Sequence, residues 1–270
     1  MRDPLVLDSV THLPAEASGR VALCASHGAV FAAWYAADHG LASVILHDAG
    51  IGRERAGIAG LAWIAELGVP AAAIGHLTAR IGDGADCAAR GVLTAVNPPA
   101  LALGLAVGMR AAEALHLLAG ADLPPAPSVP PMREAHAELT AAARGGARVF
   151  ALDSNSQVRP EDEGHVIVTG SHGGLLGGRP ETAVKHPVRA AVYNDAGIGI
   201  DRAGISRLPA LDARGIAAAT VSAESARIGE AISTWSDGIV SAVNETAARM
   251  GGREGQTCRD LVAAILDHRS

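Results

Sequence analysis

The sequence predicts an α/β protein built as a tandem duplication: two flavodoxin-like or Rossmann-like units, each around a parallel sheet, related by a pseudo-two-fold axis. Three observations lead there. Short apolar runs without strict alternation, the mark of strands buried on both faces, alternate with longer stretches of helical spacing. Segments of the first half return in the second at a nearly constant offset. The polar residues that return fall directly behind apolar runs, where open α/β sheets bind ligands.

In chain order, residues 5–7, 21–25, 43–46, 71–74 and 92–96 are the apolar runs of the first half, and 29–39, 53–67 and 101–119 have helical character. Alternation of this kind implies parallel strands with right-handed crossovers. Residues 123–131 contain five prolines, which resist both helix and sheet and predict a stiff extended connection. A helix is expected over residues 132–143. The second half repeats the first, except that residues 175–187, with Gly177, Gly178 and Pro180, make a poor helix and predict an irregular crossover. The resulting division is 1–120 for the first repeat, 121–147 for the connector and its helix, and 148–270 for the second repeat.

The repeat itself is explicit. Leu7-Asp8-Ser9 returns as Leu152-Asp153-Ser154 and Ser26-His27-Gly28 as Ser171-His172-Gly173, both 145 residues on. Two residues are then inserted, and from Asp48 the offset is 147, with about 21 identities in the 50 positions from 48 to 97. Asp48-Ala49-Gly50-Ile51-Gly52, Ala79-Arg80-Ile81-Gly82 and Ala95-Val96-Asn97 all have their counterparts.

Composition narrows the function. The 270 residues are 49% hydrophobic and only 3% aromatic, with a formal net charge of −6. A nucleic-acid partner is therefore not expected, since it would need clustered Lys and Arg and rings for stacking. The apolar stretch 100–109 stops at Arg110, too short to span a bilayer, and no membrane association is expected. Cys24, Cys87 and Cys258 are too widely spaced for a disulfide framework or a metal pair. Met1-Arg2-Asp3-Pro4 does not begin a signal peptide, so a cytoplasmic location is expected. The Ala- and Gly-rich helices are compatible with a homo-oligomer.

Ser171 and His172, with Gly173 and Gly174 behind them, suggest a nucleophile or ligand hook beside an anion cradle, or else a tight turn capped by serine. Adjacent Ser and His cannot pair with each other at a strand end. Asp195 is a candidate general base, or an acceptor for backbone N–H groups in its glycine-rich turn. Glu224 is a second proton carrier. Arg80 and Arg227 are candidate anion clamps, or members of internal salt bridges. Asn194, Ser225 and Trp235, together with Ser26, His27, Asp48 and Arg80 of the first half, complete the expected substrate-binding set. No cofactor is predicted. A divalent metal on His27, His47, His76 and Asp48 is the minor alternative, since the second half has Asn194 and Ala223 in place of two of these histidines. The buried setting expected of Cys24 makes it a core residue, and Cys87 is placed in a loop.

These residues predict an enzyme for a small anionic metabolite, most directly an amide or ester hydrolase. A lyase or isomerase using the same acid–base groups, or a non-catalytic binding or sensor protein, would share the site. Dinucleotide binding is disfavoured because no GxGxxG motif follows the first strand of either unit.

Overall fold

The computed structural model describes residues 3–140 and 146–268. In the first half, β1 (Leu5–Leu7) leads through a 3₁₀ turn at Val10–His12 to β2 (Val21–His27), α1 (Val30–Asp38), β3 (Ser43–His47), α2 (Ala59–Ala65), β4 (Ala71–Ile74), α3 (Gly84–Arg90), β5 (Leu93–Val96), α4 (Pro98–Ala102) and α5 (Ala111–Gly120). The second half has β6 (His136–Thr140), β7 (Val149–Leu152), β8 (Val166–His172), β9 (Ala190–Asn194), α6 (Arg207–Asp212), β10 (Ala217–Val221), α7 (Ala231–Asp237), β11 (Val240–Val243), α8 (Glu245–Arg249) and α9 (Cys258–Asp267).

The fold is α/β, with two mostly parallel mixed sheets of five and six strands, ordered β1-β2-β3-β4-β5 and β11-β10-β9-β8-β7-β6. β5 and β11 run antiparallel to their neighbours, so the sheets are not wholly parallel as expected. Connection length does not set this direction, since the links carrying α3 and α7 are as long as those between the parallel strands; β5 and β11 are edge strands, each paired on one side only. The sequential strand order also differs from the flavodoxin and Rossmann orders, which reverse at a switch point. α1 and α2 pack on one face of the first sheet in a core that includes Leu41, Leu46 of β3 and Ile64, while α5 packs on the other in a core that includes Leu105, Leu115 and Leu118.

Other differences have local causes. The helix expected over 132–143 is strand β6 as far as Thr140, paired antiparallel with β7; residues 141–143 lie outside the described residues. An unpaired sheet edge offers that segment a full set of backbone partners, which overrides its helical composition. The stretch 101–119 divides into α4 and α5, because Gly104 and Gly108 adopt φ of +92° and +90°. Residues 53–58 form a 3₁₀ segment ahead of α2. Cys87 sits on α3 rather than in a loop, with Asp83 capping that helix through the Asp86 N–H at 2.9 Å. The poor helix at 175–187 takes the form of two 3₁₀ turns, Leu176–Gly178 and Pro180–Thr182.

Ala-Val-Asn returns because its asparagine is a four-way bracket. Buried Asn97 donates to Leu61 O and Val69 O and accepts from Ala71 N and Ala100 N, tying α2, β4 and α4 together. Asn244 makes the same four bonds to Leu208, Ile216, Ala218 and Ala247. Each buried polar atom left without a partner would cost about 1–3 kcal/mol, so a full set is decisive.

The halves meet through reciprocal contacts. Arg53 N donates to Ala223 O, and Ile200 N to His76 O, each at 2.8 Å. Arg80 pairs with Asp201 and Arg227 with Glu54. Beneath them Ala49, Ala56, Ile81, Ala196, Ala203 and Ile228 form a buried seam. Exposed ion pairs contribute about 0–1 kcal/mol each, so the apolar seam carries the larger share, at about 1.5–3 kcal/mol per buried isoleucine. Reaching it requires strained loops: Ala49, Ile51, Glu54 and Arg55 have φ between +49° and +63°, as do Ala196, Ile198, Asp201 and Arg202. These loops close over two glycines. A Cβ on Gly57 would stand 2.1 Å from Asp48 O and one on Gly204 1.9 Å from Asp195 O. Gly204→Ala is therefore expected to cost about 3 kcal/mol or more and to lower the thermal midpoint by at least several degrees, measured by thermal denaturation.

Candidate functional site

The carboxyl ends of β2 and β8 face a common cavity of about 170 Å³ between the halves. Its wall includes Ser26, His27, Ser171, His172, Glu134 and Arg207. An adjoining cavity of about 390 Å³ shares Phe31, Glu134, Asp153 and Gly229 with it, and carries Arg227 and Glu54 on its far wall. Of the residues expected from the sequence, the two Ser-His pairs thus converge.

The two imidazoles stand edge to face with centroids 6.5 Å apart. Nδ1 of His172 accepts the Gly174 N–H at 3.1 Å and Nδ1 of His27 accepts the Ala29 N–H at 3.4 Å. An accepting Nδ1 places the proton of a neutral ring on Nε2. Both rings are held neutral. Burial pushes His27 down to about 4, and burial followed by the nearby Arg207 guanidinium pushes His172 well below its ordinary value. Each ring also packs on the opposite half: a Cβ on Gly82 would lie 3.3 Å from His172 Cε1, and one on Gly229 3.5 Å from His27 Cε1. With φ of +79° and +89°, these two positions favour glycine on backbone grounds as well.

Both serines are engaged. Ser26 Oγ accepts from Val10 N at 2.9 Å and Ser171 Oγ from Asn155 N at 2.8 Å, pinning the 3₁₀ turns that follow β1 and β7. Among the described residues no basic side chain hydrogen-bonds Ser171 Oγ. The anion cradle expected at Gly173 and Gly174 has its donors occupied, since Gly173 N donates to Asn194 O and Gly174 N to His172 Nδ1. A Cβ on Gly173 would stand 2.5 Å from Gly204 O, so that turn is glycine for packing.

The remaining expected residues lie elsewhere. Asp195 Oδ1 accepts from Gly197 N and Ala223 N, both at 2.9 Å, and Asp48 Oδ1 accepts the corresponding N–H groups of Gly50 and His76. Both brace the strained loops. Burial alone would raise the Asp48 carboxyl, but the bond from His76 Nδ1 at 3.0 Å and the neighbouring imidazoles hold it below its ordinary value; that same bond raises His76. Arg80 pairs with Asp83, Asp86 and Asp201, and Arg227 with Glu230 and Glu54, rather than with Asp48, Asp195, Asp8 or Asp153. Glu224 is exposed, and Ser225 Oγ donates to Ser222 O. Trp235 lies on α7, under Arg259 at 5.4 Å, and lines neither cavity.

His47 and Asn194 prove to be equivalent. His47 Nδ1 accepts from Ala49 N and Nε2 donates to Ala79 O; Asn194 Oδ1 accepts from Ala196 N and Nδ2 donates to Ala226 O. Among the described residues no group of three His, Cys, Asp or Glu side chains is arranged to hold a metal ion. Cys24, Cys87 and Cys258 are buried, and burial raises all three thiols, Cys24 and Cys258 to about 12.

Two wall residues had escaped the sequence reading. Glu134 sits at the end of the proline-rich connector, which Trp34 Nε1 anchors through Pro130 O at 2.8 Å and Asp153 Oδ2 anchors through Ala135 N at 2.7 Å. Burial, then the Asp153 charge, pushes its carboxyl up to about 7. Nothing local in the sequence marks it, because its setting comes from the docking of the connector. Arg207, 3% exposed, occupies the position of Gly60 in the first half, and a cation between Ile205, Leu208 and Leu211 was the available signal.

No protein-family model, curated protein or solved structure matches the chain. No helix among the described residues is long and apolar enough to cross a membrane.

The His47 equivalence is testable by thermal denaturation. His47→Asn is expected to stay within about 1.5 kcal/mol of the parent, whereas His47→Ala, which orphans two buried backbone groups, should cost about 2–4 kcal/mol.

Proposed function

We propose that the chain is a tandem duplication of one α/β unit, residues 1–120 and 148–270 about a pseudo-two-fold axis, and an enzyme that moves protons on a small anionic metabolite in the shared cavity. The observation that carries this reading is the grouping of two neutral imidazoles, each with Nε2–H available, and a half-buried carboxyl titrating near neutrality on one wall. A general acid or base works best with a pKa close to the working pH, and neutral imidazole N–H groups can stabilise a developing oxyanion without losing a proton.

In this reading ionised Glu134 takes a proton from a substrate carbon, and the electron pair moves to an adjacent carbonyl oxygen hydrogen-bonded by Nε2–H of His27 or His172. Return of the proton at a neighbouring carbon gives an isomerase; departure of a leaving group gives a lyase. These classes are favoured over the amide or ester hydrolase. Ser171 Oγ already accepts a backbone N–H, and among the described residues it has no base to activate it.

Incubation in D2O with short carbon acids, followed by proton NMR, is expected to show exchange of a substrate C–H with solvent. Glu134→Gln should slow it by about 10²–10⁴-fold. An absence of exchange across the series, with a Glu134 carboxyl titrating near 4.5 by carbon NMR, would sink the reading.

The same group predicts a stability signature. Raised from 4.5 to about 7, Glu134 keeps its proton in the folded chain where the unfolded chain has lost it. Its contribution is fully favourable below about 4.3, declines as the pH rises to about 7, and is flat beyond. Glu134→Gln should therefore raise the thermal midpoint at pH 8 relative to the parent, with a smaller difference at pH 4. Equal differences at both values would mean that Glu134 does not titrate in this window.

A further inference from the structure

We infer that Arg207 seats a carboxylate, so that the cavity takes a short carboxylic acid whose other end reaches His27 and Glu134; this rests on the reading of the cavity as the active site. Arg207 is 3% exposed and lines the cavity beside His172. Its guanidinium lies over the Tyr193 ring, 5.2 Å from the centroid. Nη1 donates to the carbonyls of Thr182 and Ala183. Nε has no partner, the guanidinium bears on the Tyr193 side chain, and among the described residues no carboxylate pairs with it. The part of the guanidinium that lines the cavity supplies the charge-assisted N–H donors that a carboxylate accepts. A buried cation without a counter-ion is costly, and a bound carboxylate would provide the missing charge and acceptors together.

The surroundings give this subsite a direction. Arg207 bears on His172, His172 stands beside His27, and Glu134 and Asp153 lie where the two cavities join. The cavity thus runs from a cationic end to an acidic one. An anion with charge at both ends is disfavoured, as is a phosphate, whose further oxygens would turn toward Glu134 and Asp153. The volume of about 170 Å³ is below the roughly 300–1,000 Å³ of sites for larger ligands, which limits the acid to a few heavy atoms.

Isothermal titration with acetate, propionate and inorganic phosphate tests the assignment in three proteins: the parent, Arg207→Lys and Leu176→Phe. Leu176 lines the cavity in the second half where Phe31 does so in the first, so Leu176→Phe narrows the Arg207 end and leaves the guanidinium in place. Saturable binding of acetate or propionate to the parent, weakened about tenfold or more in both variants, is expected, with phosphate weaker than either. If Arg207→Lys does not fold, Leu176→Phe carries the comparison alone. Absence of saturable carboxylate binding, equal affinity in the folded variants, or tighter binding of phosphate would overturn the subsite. Carboxylate binding without any proton exchange would keep the subsite and remove the proton-transfer reading; exchange unaffected by Arg207→Lys would do the reverse.

Discussion

The structure depends on one close approach. A Cβ on Gly50 would lie 2.8 Å from Gly197 Cα, and one on Gly197 2.9 Å from Gly50 Cα, so the two strained loops touch backbone to backbone. Only glycine permits that distance, and the alanines flanking it bring the seam residues within van der Waals reach. Because these loops spring from the ends of β3 and β9, their contact turns the carboxyl ends of both sheets toward each other. The cavity exists because of that orientation. Strain of about 1–3 kcal/mol at each unfavourable φ is held by the Asp48 and Asp195 carboxylates, which is why those aspartates recur.

The recurring polar residues consequently divide by purpose. Asp48, Asp195, Asn97 and Asn244 satisfy backbone groups inside each half. Arg80 and Arg227 pair with acids across the boundary, and Gly82 and Gly229 admit the histidine of the other half. Two residues of the cavity wall, Glu134 and Arg207, have no matching side chain in the other half.

That division explains how far the sequence could be read. The apolar runs located β1 to β5 closely, since strands buried on both faces announce themselves by composition. Antiparallel β5 and β11 and the edge strand β6 were not legible, because direction and pairing are decided by tertiary partners. Ser26, His27, Ser171 and His172, which the sequence places behind apolar runs, line one cavity. Asp195, Arg227, Glu224 and Trp235 lie off that cavity's wall, and a polar residue at a strand end looks the same in sequence whether it meets solvent, a ligand or a backbone N–H. His47 and Asn194 looked like a functional difference, yet imidazole and carboxamide offer the same acceptor and donor at nearly the same reach.

The exchange of Gly60 for Arg207 has a consequence for recognition. In the tandem-duplication reading proposed above, cavity walls that repeat about an axis would present the same chemistry from either end, and an elongated guest could lie head to tail or tail to head with equal energy. A single buried cation, placed in one half only, and a carboxyl delivered by the connector remove that degeneracy. In that proposed reading the frame fixes the dimensions of the chamber and its two unmatched residues give it a reading direction, as a lock cut from a symmetric blank becomes specific at the first asymmetric notch.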